Sequence, residues 1–214
     1  MRRPNRFLVV ARIGGQQVRV ACRDPGRLRE LLVPDARLLV APSAAPDRRT
    51  AYTLFLVGLG RQWIPLVPAL ANRVFDAALR GGGVPGLAGA RVVDREVAHG
   101  RSRFDFVLSW RGRRLVTEVK SVTLVEGRRA LFPDAPTARG ARHVRELTPL
   151  GRGAAVVFIV QRPDADSVSP HAANDPEFAA AVAEAARAGV RLLAYTCRVS
   201  RQGVALDRRV PVML

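Results

Sequence analysis

The longest uninterrupted apolar run in the chain, from Ala154 to Val160, is only seven residues. A membrane-crossing helix needs about 20. The N-terminal apolar stretch, Phe7 to Ala11, is shorter than the core of an export signal. The apolar residues therefore have to be buried against one another, and the chain is expected to be soluble, unexported and without a membrane partner. Its 214 residues, 48% hydrophobic, suffice for one or two domains with a sizeable core. The two cysteines, Cys22 and Cys197, have no CxxC spacing and each sits in an apolar run. They read as small buried hydrophobes in a reducing, cytoplasmic setting.

Glycine and proline cut the first third into short strands. Strands are expected over 6–12 and 16–22, joined at Gly14-Gly15, and over 37–41, 51–57 and 62–67. Asp24-Pro25-Gly26 marks a turn, 27–32 reads as a short helix stopped by Pro34, and Pro42-Ser43-Ala44-Ala45-Pro46 separates two strands. Five short strands and one small helix suit an OB-like barrel, with an SH3-like barrel as the rival.

After residue 67 the pattern changes. Helices are expected over 69–80, 138–147 and 176–188, and strands over 91–97, 102–109, 113–122, 154–161 and 190–199, with a glycine-rich loop over 81–90. The last helix has Asp175 as N-cap, Pro176 at its first position and Gly189 past its end. Meander strands followed by strand–helix–strand crossovers imply an α/β (α+β) domain with a mixed sheet. The expected division is a barrel at 1–67 and the α/β domain at 68–214.

The formal net charge is +17. Such an excess points to an anionic partner, DNA or another nucleic acid ahead of an acidic membrane surface, with a GC-rich genome that inflates arginine as the bland counterpart. Of the 35 basic residues, 34 are arginine, and the one lysine is Lys120. Lysine is a compact ammonium whose pKa can shift, whereas arginine is a wide fork. The one lysine stands two residues after Glu118, near the end of an apolar strand. Strand residues two apart share a face, so Glu118 and Lys120 project together. A hairpin between Ser109 and Arg113 brings Asp105 beside Glu118. Paired carboxylates are costly to bury unless a cation joins them. Carboxylates plus a carbonyl, that of Val119, suit Mg²⁺ or Mn²⁺. Asp105, Glu118 and Lys120 are thus candidate catalytic residues, with Asp105, Glu118 and Val119 as metal ligands. The bland counterpart is a cross-strand ion pair. Glu96 is either a third carboxylate or an exposed strand charge.

The 138–147 helix presents Arg139, Arg142, His143 and Glu146 at helical spacing, a stripe suited to a phosphate backbone or simply to solvent. Arg101 and Arg103 flank the Asp105 strand. Tyr52, Phe55 and Trp63 lie on barrel strands as possible base-stacking rings, with Phe55 reading more as core. Gln161 reads as a strand exit. HExxH, GxSxG and phosphate-loop signatures are absent from the sequence.

Several segments resemble the sugar fermentation stimulation protein family: Ser102-Arg103-Phe104-Asp105-Phe106, Glu118-Val119-Lys120-Ser121-Val122-Thr123-Leu124, Phe132-Pro133-Asp134-Ala135-Pro136-Thr137 and His143-Val144-Arg145-Glu146-Leu147. So do Arg6-Phe7-Leu8, Asp24-Pro25-Gly26-Arg27-Leu28 and Ala71-Asn72-Arg73. The resemblance implies an OB-like N-terminal domain, a C-terminal PD-(D/E)xK nuclease-like domain, DNA binding and a link to sugar metabolism. It implies Asp105, Glu118 and Lys120 as the motif residues and Glu96 as the upstream acid. Arg6, Arg27, Arg103, Arg139, Arg142 and His143 are the expected nucleic-acid contacts. Two functional expectations stand: a Mg²⁺-dependent phosphodiesterase, and a non-catalytic DNA-binding regulator with a vestigial site.

Overall fold

The computed structural model describes residues 1–43 and 50–214. Residues 44–46 of the expected Pro42–Pro46 separator lie outside the described residues.

The N-terminal sheet contains β1 (Arg2–Asn5), β2 (Leu8–Ile13), β3 (Gln16–Ala21), β4 (Leu38–Pro42), β5 (Tyr52–Leu59) and β6 (Gln62–Pro65). Their order is β1-β2-β3-β5-β4, with β6 also on β5. Among the described residues six strands stand where five were expected. The extra one, β1, is Arg-Arg-Pro-Asn and has no apolar alternation to announce it. Gly14 and Gly15 both take positive φ (55° and 82°), the geometry that closes the tight β2–β3 turn. Val9, Val20, Leu54, Ile64 and Leu66 form the core of this half.

The helix expected over 27–32 is absent. Leu28 has φ 50°, which a right-handed helix cannot contain. Its N–H donates to Asp134 Oδ2 at 2.8 Å, far along the chain. A single turn remains, and its Leu28 and Leu31 pack into the core of this half at 0% and 1% exposure. Among the described residues the strands do not close into the expected barrel, since β1 and β4 stand at opposite ends of the pairing order. The leucine spacing encoded that packing rather than a helix.

The second half contains α1 (Ala69–Arg80), β7 (Arg91–His99), β8 (Ser102–Trp110), β9 (Arg113–Val122), β10 (Val125–Glu126), β11 (Arg129–Phe132), α2 (Ala138–Leu147), β12 (Ala154–Val160), β13 (Ser167–Pro170), α3 (Pro176–Arg187), β14 (Arg191–Val199) and β15 (Val204–Val210). The main sheet runs β15-β14-β12-β9-β8-β7. Strand β12 is parallel to both β9 and β14.

All seven residues of β12 are buried because both of its faces are covered. Val156, Phe158 and Val160 pack with Val144 and Leu147 of α2 and Phe178 of α3. Ala155, Val157 and Ile159 pack with Val74 and Phe75 of α1. Asp175 caps α3 by accepting from Phe178 N at 2.9 Å, and also accepts from Thr137 N at 2.7 Å. The same carboxylate thus ties together the starts of α2 and α3.

Strands β10, β11, β13 and β15 were not foreseen. The first three are two to four residues long, and β15, Val-Ala-Leu-Asp-Arg-Arg-Val, is a strand at the sheet's rim in which three charged residues interrupt the apolar ones. Both cysteines are buried and free, as the sequence suggested.

Candidate functional site

The β8–β9 hairpin turns through Arg111 and Gly112, both at positive φ (51° and 73°). The ladder runs from Trp110↔Arg113 to Phe106↔Thr117 and ends there. Phe104 packs in the α2/α3 layer, whereas Phe106, two residues on, packs in the α1 layer. Strand β8 therefore rolls over at Asp105. The Asp105 carboxylate, instead of a main-chain carbonyl, takes the Val119 N–H at 2.7 Å. Its other oxygen accepts from Asn72 Nδ2 of α1 at 2.6 Å.

Glu118 and Lys120 are 5% and 8% exposed. Lys120 Nζ donates to Glu118 Oε1 at 2.7 Å, so the i, i+2 geometry read from the sequence holds. His143 Nδ1 lies 2.7 Å from the same oxygen, and Arg139 Nε donates to His143 Nε2 at 3.3 Å. With Nε2 accepting, the proton of a neutral ring sits on Nδ1 and points at Glu118. Glu118 Oε2 is buried with no hydrogen-bond partner.

Burial alone would raise the Glu118 carboxyl. The hydrogen bonds from His143 and Lys120, together with the ammonium charge, hold it below the usual range. Asp105 is pushed up to about 6, first by burial and then by the charge of Glu118, against the pull of its Val119 and Asn72 hydrogen bonds. One carboxylate is thus stabilised as an anion, and the other is held at a cost that a bound cation would relieve.

These residues line a cleft of about 670 Å³ between the two halves of the molecule. Asn72, Asp105, Glu118, Val119 and Lys120 line it together with Arg6 from the β1–β2 turn and Arg139 from α2. A second groove of about 520 Å³ adjoins it, lined by Arg3, Arg6 and Arg27. Asp134 bridges the halves. Its Oδ2 holds Leu28 N and lies 2.7 Å from where a Cβ on Gly26 would stand. Gly26→Ala is expected to push Asp134 off Leu28 and lower stability by about 1–3 kcal/mol, read by denaturant unfolding. An unchanged midpoint would show this seam to be soft.

Of the expected nucleic-acid contacts, Arg6, Arg27 and Arg139 line the cleft or its adjoining groove. Arg103 and Arg142 are exposed but line neither. His143 needs correction. It is 3% exposed with both ring nitrogens engaged, so it braces Glu118 instead of meeting a phosphate. Glu96 sits exposed at φ 52°, between the Arg95↔Phe106 and Val97↔Phe104 pairs and level with Asp105, and does not line the cleft. Among the described residues no three His, Cys, Asp or Glu side chains gather into a metal-holding group. Gln161 is fully buried and donates to Ser121 Oγ at 2.6 Å, a strand exit as expected. Phe55 is 37% exposed, not core. Trp63 lies half-buried under the Arg37 guanidinium.

The sequence reading missed Asn72 and Asp134 as site partners. Asparagine in the first turn of α1 and an aspartate between two prolines were the available signals. Neither names its partner.

The fold defines a class: an OB-type β domain joined to a mixed-sheet α/β domain. The family described as "SfsA N-terminal OB domain" matches residues 1–66, and "Sugar fermentation stimulation protein RE domain" matches 69–203. The chain belongs to the sugar fermentation stimulation protein family. A homolog from Moorella thermoacetica is 48% identical, covering 99% of this chain and 94% of its own. One from Acetivibrio thermocellus is 42% identical, covering 100% and 94%. The solved structure of Pyrococcus furiosus SfsA in complex with Ca²⁺ is similar with TM-score 0.89 and 30% identity, over 100% of this chain and 94% of that one. No helix among the described residues is long and apolar enough to cross a membrane.

Proposed function

We propose that the chain binds nucleic acid and hydrolyses phosphodiester bonds with Mg²⁺ or Mn²⁺ at the Asp105–Glu118–Lys120 site. The observation that carries this reading is the unpartnered, buried Glu118 Oε2 in an arginine-rimmed cleft that Asp105 and Lys120 also line. Two carboxylates suit a hard cation that keeps most of its waters and takes the rest of its ligands from a phosphate. The Pyrococcus furiosus relative was solved in complex with Ca²⁺, likewise a hard divalent cation that takes oxygen ligands. Asp105, Glu118 and the Val119 carbonyl would hold it here. When bound, it supplies polarisation of the scissile phosphate and a water of lowered pKa.

The chain's own groups do the rest. The Lys120 ammonium stabilises charge growing on the phosphate. His143, itself held by Arg139, keeps Glu118 Oε1 in place. Arg6, Arg27 and Arg139 hold the backbone beside the reacting bond. Arg103, Arg142 and Glu96 are left with a peripheral part.

A second reading, a DNA-binding regulator of sugar metabolism that cuts nothing, draws on Asp105, both of whose carboxylate oxygens already accept hydrogen bonds, from Asn72 Nδ2 and Val119 N. The experiment is a screen of purified protein against single-stranded, duplex and hybrid DNA and RNA with each metal. Metal-dependent cleavage is expected. Binding throughout with every substrate intact would overturn the hydrolase and leave the regulator.

A further inference from the structure

The exposed aromatic side chain that stands out is Phe7, at 57% exposure. A lone exposed apolar residue is ordinary on a protein surface. The position of this one is what matters. Phe7 follows Arg6 in the β1–β2 turn, where its N–H donates to Asn5 Oδ1 at 2.9 Å. Its carbonyl accepts from Cys22 N at 3.0 Å, which anchors that turn to the start of the Asp24–Gly26 loop. Asn5 and Arg6 line the outer groove, and Arg6 also lines the cleft. The two cavities share Pro25, Gly26, Ala135 and Pro136 as well, so they form one path from Asn5 and Arg6, the residues before Phe7, to the carboxylates.

The acids on this path are turned inward. Asp24 Oδ1 accepts from Gly26 N at 2.8 Å, and Asp134 Oδ2 from Leu28 N. Arg6, Arg27 and Arg139 are its exposed charges. The reacting groups lie at its deep end, where Glu118 and Lys120 are 5% and 8% exposed. A duplex is stiff over about 50 nm and meets such a site only at the rim, whereas a single strand bends into it. Single-strand sites combine a basic track with rings on which bases stack.

We propose that this site takes single-stranded rather than duplex nucleic acid, the exposed Phe7 ring, which lines neither cavity itself but follows Arg6 at the rim of the outer groove, stacking on a base there while Arg6, Arg27 and Arg139 hold the flanking phosphates. This rests on the nucleic-acid reading above and adds to it the substrate's strandedness.

The test is fluorescence anisotropy with short labelled single-stranded DNA, single-stranded RNA and the matching duplex, in EDTA so that nothing is cut, at one fixed salt concentration. Wild type is expected to bind single strands at least about tenfold more tightly than duplex. Phe7→Ala is expected to weaken single-strand binding by about ten- to a hundredfold, the range for loss of one stacked base. Duplex binding should not change, and Phe7→Trp should restore the single-strand affinity. Equal affinity for duplex and single strand overturns the proposal, and so does Phe7→Ala binding like wild type; both leave the cleft reading standing. Failure of wild type to bind any of the oligonucleotides overturns both.

Discussion

Replacing Glu118 with glutamine is expected to abolish metal-dependent cleavage, by at least about 100-fold, while the protein stays folded. Glutamine keeps the shape and leaves one oxygen to accept from Lys120 and His143, which now share Oε1 at 2.7 Å each. Its NH₂ takes the place of the unpartnered Oε2, so a donor points where a cation needs an acceptor. Calorimetric titration with Mg²⁺ or Mn²⁺ should lose its heat in the variant. Removing one partner of a buried ion pair costs about 3–5 kcal/mol. Retaining the hydrogen bond reduces that cost, so some loss of thermal stability is expected without unfolding. Glu118→Gln cutting at the wild-type rate would remove the hydrolase reading.

Lys120→Arg is expected to be nearly as damaging, by about 100-fold in cleavage, although charge is preserved. Lys120 lies almost wholly out of solvent, with its ammonium on Glu118 Oε1. A planar guanidinium is wider, spreads its charge and cannot fill the same slot as a point donor. The measurement is single-turnover cleavage alongside circular dichroism, so that lost chemistry is separated from lost fold. A chain with 34 arginines has every compositional reason to carry an arginine here as well. If Lys120→Arg retains full activity, the lone lysine is a compositional accident and Lys120 has no part in the chemistry.

Much of the architecture was legible. The start of α3 was announced by Asp175, whose side chain accepts from Phe178 N, and α2 starts by the same device, Thr137 accepting from Gly140 N. These are local devices, completed within three residues. The Glu118–Lys120 pair was equally local, since a period of two places both side chains on one face. The misreadings had a common cause. Leucine spacing over 27–32 looked helical because the burial it encodes is satisfied by the core of the N-terminal sheet, and Leu28 is locked at positive φ by an aspartate 106 positions away. His143 looked like part of a solvent-facing stripe because spacing along a helix does not say which face the sheet will cover.

Facing within a strand and the ends of a helix arise from bond geometry between near neighbours, so one-dimensional order was enough to place Glu118 with Lys120 and to bound α1, α2 and α3. The partners that complete the site came from layer packing. Asn72 reaches Asp105 across 33 positions, and His143 reaches Glu118 across 25. Both contacts depend on α1 and α2 settling on opposite faces of the same sheet, and on β8 rolling over at Asp105. Those outcomes are set by how whole faces are buried, and no short stretch of sequence contains both sides of that contact.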